Sequence, residues 1–144
     1  MSRWRYYPPC GESWKTSTGT GPWWIRERDY RRIISAYEAE RGKHGEDALS
    51  LGFLGRAAVA VQHSWSKVDV VVKAQVVEDI NVFAGRGQRQ YREWLRANIY
   101  ITLSGWPQIE QLFIPNLGDQ NGLTELGRRA LLVLRKKTIT STWF

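Results

Sequence analysis

The sequence predicts an all-α domain, a bundle of roughly four helices carrying an extended, non-helical N-terminal arm, and three observations lead there. Apolar residues recur at helical spacing through most of residues 29–137. Gly- and Pro-containing breaks fall between those stretches at Gly42, Gly85-Arg86-Gly87 and Gly105-Trp106-Pro107. Residues 1–28 contain Pro8-Pro9 and the run Thr16-Ser17-Thr18-Gly19-Thr20-Gly21-Pro22, which deny them a helix or a central strand. The expected division is therefore an arm at 1–28 and a helical domain at 29–144.

The arm is both aromatic and basic. Arg3, Trp4, Arg5, Tyr6 and Tyr7 open it, Trp14 and Lys15 follow, and Trp23-Trp24 leads to Arg26, Arg28, Arg31 and Arg32. So much apolar surface needs a cover, and the intervening cations suit a polyanion or a neighbouring copy of the chain. Tyr30, Ile33, Ile34 and Tyr37 then share one face of a helix expected over Asp29–Arg41. Glu46 and Asp47 are acids suited to a helix start, and Leu49, Phe53, Ala57, Ala60, Val61 and Trp65 keep a helical period. Between Val68 and Val77 the run of β-branched residues fits helix or strand.

A third helix is expected from about Gln88 to Leu103. At 100° per residue it gathers Arg86, Arg89, Arg92 and Arg96 in one arc, with Tyr91, Trp94, Leu95 and Ile101 opposite. Thr124 caps a last helix to about Lys137, with Leu126, Ala130, Leu131 and Leu134 inward and Arg128, Arg129, Arg135, Lys136 and Lys137 outward. The terminal Ile139–Phe144 alternates like a strand, and its Trp143 and Phe144 are expected to dock on a surface.

Composition bounds the function. The chain has 144 residues, enough for one core, and its 21 Lys+Arg against 14 Asp+Glu give a net charge of +7. Fifteen of the 21 cations are Arg, the residue suited to bidentate phosphate contact, which directs the search toward nucleic acid. Cys10 is the one cysteine, so no internal disulfide forms. Residues 1–20 hold no apolar signal core, and no uninterrupted apolar run is long enough for membrane insertion. With His44 and His63 the only histidines and no paired Cys/His spacing, neither metal nor cofactor is expected, and the protein reads as a non-enzyme. Gly85-Arg86-Gly87-Gln88-Arg89 lacks the Gly-Lys-Ser/Thr of a phosphate loop.

The residues Arg3 to Pro9, Trp23 to Arg32 and the arginine-faced segment Arg86 to Arg96, an aromatic basic arm joined to a small helical body, resemble the major coat proteins of filamentous archaeal viruses. That resemblance implies a virion coat subunit which, as an identical or paired dimer, wraps A-form double-stranded DNA in a helical filament, in some members beneath an outer envelope. It implies DNA contacts from the arm and the basic helix face, and the cations of those segments expected to make them are Arg3, Arg5, Lys15, Arg26, Arg28, Arg31, Arg32, Arg86, Arg89, Arg92 and Arg96. Packing between subunits would fall to Trp4, Tyr6, Tyr7, Trp14, Trp23, Trp24, Trp143 and Phe144. Location follows as the virion, assembled inside the host cell, and otherwise intracellular. A regulatory module binding nucleic acid or protein, as monomer or dimer, is the alternative on the residues alone.

Overall fold

The computed structural model describes residues 3–7, 23–61, 68, 70–96, 99–119 and 122–139, with the backbone alone described for 3–7, 92–96, 99 and 119. Its organising element is a sheet. The Val-rich stretch supplies β3 (Val70–Val76), in which Val72, Ala74 and Val76 are buried on one face and Val71 is buried on the other. Its start, Val70-Val71-Val72, is a continuous apolar run that a helix would also accept, whereas Val72-Lys73-Ala74-Gln75-Val76 alternates as a strand should.

Five further strands join it, all antiparallel: β1 (Arg3–Tyr7), β2 (Trp23–Arg26), β4 (Phe83–Gly85), β7 (Gln111–Phe113) and β10 (Leu131–Thr138). Their order across the sheet is β10-β3-β1-β2-β7-β4. The remaining strands form two small ribbons, β5 (Gln90–Arg96) with β6 (Ile99–Leu103), and β8 (Gly118–Asp119) with β9 (Gly122–Leu123).

Three α-helices lie among the described residues. α1 (Glu27–His44) has Glu27 and Asp29 in its first turn and Arg41, Lys43 and His44 in its last, each sign matching the helix dipole. It ends at Gly45, whose φ of +58° few other residues adopt readily. α2 (Leu51–Val59) starts where Ser50 Oγ accepts the Phe53 N–H at 3.2 Å. α3 (Glu125–Ala130) starts the same way, with Thr124 Oγ1 accepting the Gly127 N–H at 3.2 Å. Gly127 is required by close approach, because a Cβ there would lie 2.2 Å from the Leu117 carbonyl oxygen.

These elements bury two apolar clusters. α1 and α2 cover one through Ile33, Leu54, Ala58 and Val59 with Ile25, Val61, Val68 and Ile109. The other gathers Trp24, Val72, Ala74, Val76, Leu112, Ile114, Leu117 and Leu131. In β2 the neighbours Trp24 and Ile25 go to different clusters, as the period of two along a strand requires.

The all-α bundle is thus corrected to a mixed fold built on an antiparallel sheet, and three particular expectations change with it. Of the residues expected to form an extended arm, 3–7 and 23–26 are strands of the sheet, with β1 in an inner position between β3 and β2. The third helix is a ribbon instead; Ile99, Tyr100, Ile101 and Thr102 are β-branched or aromatic, and tertiary pairing overrides the helical spacing of Tyr91, Trp94 and Leu95. The last helix stops at Ala130, after which Leu131–Thr138 pairs with all of β3. Leu126, Ala130, Leu131 and Leu134 fit a helical face equally well, but β3 needs an outer neighbour for its backbone groups.

Candidate nucleic-acid interface

The cations at the start of α1 are largely matched by local acids. Glu27 receives Arg31 at 3.1 Å and Lys73 of β3 at 3.4 Å. Asp29, only 1% exposed, accepts from Arg32 at 2.9 Å and from the Glu110 backbone N–H at 3.3 Å, while Arg32 also reaches the Gln108 carbonyl at 2.6 Å. Arg28 lies 3.9 Å from Asp29, and Arg26 lies 3.6 Å from Glu110. Arg26 Nη1 is buried without a hydrogen-bond partner among the described residues. Four arginines and Lys73 therefore share three carboxylates. This cluster straps α1 to the sheet and to the 108–110 segment.

The expected arginine arc has no helix to carry it. Arg86 remains exposed, but its guanidinium is held, donating twice to the Gly105 carbonyl at 2.7 and 3.2 Å. Arg89 lies over the Tyr91 ring at 6.0 Å. Arg92 and Arg96 belong to β5, and their side chains lie outside the described residues, as do those of Arg3, Arg5, Trp4, Tyr6 and Tyr7 in β1. Lys15, Trp14, Trp143 and Phe144 lie outside them altogether, with Cys10 and His63. The backbone register sets Arg5 opposite Arg26 and Ala74.

The two adjacent tryptophans separate. Trp24 is 1% exposed and fills this chain's own core, whereas Trp23 is 40% exposed and packs on Phe113 with ring centroids 4.8 Å apart. Phe83 continues the row at 6.4 Å from Phe113.

A second group of cations stands on β10. Arg135, Lys136 and Lys137 are exposed and form no ion pair with the described residues. They occupy the outer strand of the sheet, opposite Lys73, Val72 and Val71 respectively, just beyond a register shift at Leu134. Arg135 and Lys137 share a face about 6.8 Å apart by strand geometry, and Lys136 points the other way. At the start of this limb Arg128 donates to the Leu123 carbonyl at 2.7 Å and Arg129 pairs with Glu78 at 2.7 Å. The hydrogen bond from Arg129 to the Glu78 carboxylate raises its pKa above the ordinary arginine value.

The β10 trio was read in the sequence as the solvent face of a helix and was not singled out for DNA. Three consecutive cations directly after Leu131-Leu132-Val133-Leu134 were the available signal, because a strand would offer them to two faces at once.

For chemistry the described residues offer little. They contain no group of three or more His, Cys, Asp or Glu side chains placed to hold a metal ion. A polar cavity of about 210 Å³ is lined by Tyr37, Arg41, Glu46 and Ser50 among others, and Arg41 there is hydrogen-bonded to Tyr37 at 3.1 Å. Among the described residues no helix is long and apolar enough to cross a membrane. No family model, curated protein or solved structure matches the chain.

Proposed function

We propose that this protein is a non-enzymatic nucleic-acid-binding protein that holds double-stranded DNA by its phosphates, without sequence preference, and that β10 supplies the principal contact. The observation that carries the reading is the group Arg135, Lys136 and Lys137, exposed on an outer strand and unmatched by acids among the described residues. A solvated cation releases counterions when it meets a phosphate, whereas an arginine already held by a carboxylate must first give up that partner. Contacts of this kind carry no base information, so they bind one duplex as well as another.

The first-turn arginines have a supporting place in this proposal. Arg28 and Arg31 are 66% and 75% exposed and extend the positive surface, while Arg26 and Arg32 tie the fold together. The filament-coat expectation drew on a helical body with an arm. A sheet now stands in place of that body, so the DNA reading rests on the cations alone.

Titration of unrelated duplexes at several salt concentrations tests it. The parent protein should bind them alike, with log K falling linearly against log salt by about 0.9 per phosphate contact. Arg135→Gln, Lys136→Gln and Lys137→Gln combined should lower that slope by roughly 2 to 3 and weaken binding roughly fivefold to tenfold per lost contact. A parent slope near zero, or a strong preference for one duplex, contradicts the proposal.

A further inference from the structure

The sheet has a second open side. β4 is the outer strand opposite β10, and its Phe83, Ala84 and Gly85 are all exposed. Proteins ordinarily guard such an edge with Lys, Pro, a bulge or a covering element. β10 has cations and a register shift, while β4 has neither. Inward from β4 the register sets Phe83 opposite Phe113 and Phe113 opposite Trp23, all on one face. Phe83 is 69% exposed and Trp23 40%. No charged residue lies in this row, and Arg86, the next residue after β4, has turned its guanidinium to the Gly105 carbonyl.

We infer that β4 and its aromatic row form the contact between two copies of this chain, strand to strand and antiparallel across a two-fold axis. Charge selects that occupant. DNA or an acidic partner is drawn to cations, which the row lacks, whereas a second copy carries the same +7 and approaches with least repulsion where this surface is neutral. The strand sequence suits self-pairing as well. Centred on Ala84, antiparallel pairing sets Phe83 opposite Gly85 of the second copy and Arg86 opposite its Val82, so no cation meets a cation. An aromatic ring opposite a glycine covers backbone that the glycine leaves bare. The axis also makes the contact closed, since one patch serves both copies.

Phe83 is 69% and Trp23 40% exposed, and Phe113 is already partly buried, so the rings have left to bury only a fraction of the about 150–250 Å² each could contribute, and the contact falls short of the roughly 1,200 Å² total of a standard complex. The contact is therefore weak in free solution. It stands on the sheet edge and is independent of the nucleic-acid reading.

Sedimentation equilibrium of the full chain, freed of nucleic acid and loaded from about 10 μM to about 1 mM in roughly 0.5 M salt, decides it. The average mass should climb toward the dimer as loading rises. Phe83→Asp should weaken association at least tenfold with an unchanged circular dichroism spectrum, and Phe83→Ser replaces it if that spectrum changes. Lys136→Glu, on the opposite edge, should leave association intact. A parent that stays monomeric throughout overturns the inference, and so does association that survives the Phe83 change or depends on Lys136. None of these results alters the salt dependence of DNA binding by the parent, so the two readings fail separately.

Discussion

The two edges of the sheet solve the same physical problem in opposite ways. At β10, Leu132, Val133 and Leu134 are exposed, and Arg135, Lys136 and Lys137 follow them beyond a register shift. Like charges and an interrupted register discourage another strand from adding there, while the same cations remain open to phosphates. At β4 the edge is three residues long, uncharged and aromatic. Among the described residues, shortness is its one safeguard. The difference teaches that one sheet can guard one edge with charge and a register shift and leave its other edge short and neutral.

The largest expected effect sharpens the inner boundary of the β4 side. Trp24→Ala should destabilise the fold by about 3–5 kcal/mol, because a large side chain that is 1% exposed leaves a cavity among Val72, Leu112 and Ile114. Trp23→Ala, one residue away but 40% exposed, should cost under about 1 kcal/mol. Urea denaturation of both variants checks the pair. Equal losses would mean that the exposed row is part of the core, and the contrast between the edges would fail.

Next in size is the anchorage of β10. A Cβ at Gly127 would meet the Leu117 carbonyl oxygen at 2.2 Å, and backbone at that distance must move. Gly127→Ala should therefore destabilise by roughly 1–3 kcal/mol and increase hydrogen exchange along Leu131–Thr138 more than along Phe83–Gly85. Exchange that rises equally at both edges would show that α3 does not position β10 in particular.

The smallest effect is on stability where binding changes most. Replacing Arg135, Lys136 and Lys137 together by Gln should shift folding stability by no more than about 0.5 kcal/mol, since exposed side chains without partners contribute little. Thermal unfolding of the parent and the triple variant checks this. A large drop would mean the trio holds β10 in place.

How far the sequence disclosed this molecule depended on whether its pattern had one reading. α1 was legible because Tyr30, Ile33, Ile34 and Tyr37 repeat at helical spacing; it starts at Glu27 rather than Asp29 and runs to His44 rather than Arg41. The Thr124 cap was legible because a hydroxyl three residues before a free N–H acts locally. β3, by contrast, opens on Val70-Val71-Val72, which suits either period, and alternates only from Val72 to Val76. β5 and β6 carry aromatic residues at spacings that suit either period, and β10 becomes a strand only because β3 lies beside it.

The candidate interface was read from residue type, which does not fix where each cation stands. Arginine richness pointed to polyanions, yet nothing local showed that Arg32 would reach the Gln108 carbonyl or that Arg86 would turn to Gly105, contacts spanning 76 and 19 residues. Long-range pairing of that kind sorts structural cations from available ones, and the fold alone sets it. Trp23 and Trp24 divided for the same reason: strand geometry sends neighbours to opposite faces, and the sequence pattern had not marked them as a strand.

The most direct test of the account is lysine footprinting by amine acetylation and mass spectrometry, with and without saturating duplex DNA. Lys136 and Lys137 on the β10 edge should lose most of their reactivity when DNA is bound, while Lys43, exposed near the far end of α1, keeps its own. Lys136 and Lys137 as reactive as Lys43 on a saturated duplex would contradict the assignment of β10 as the phosphate-binding edge.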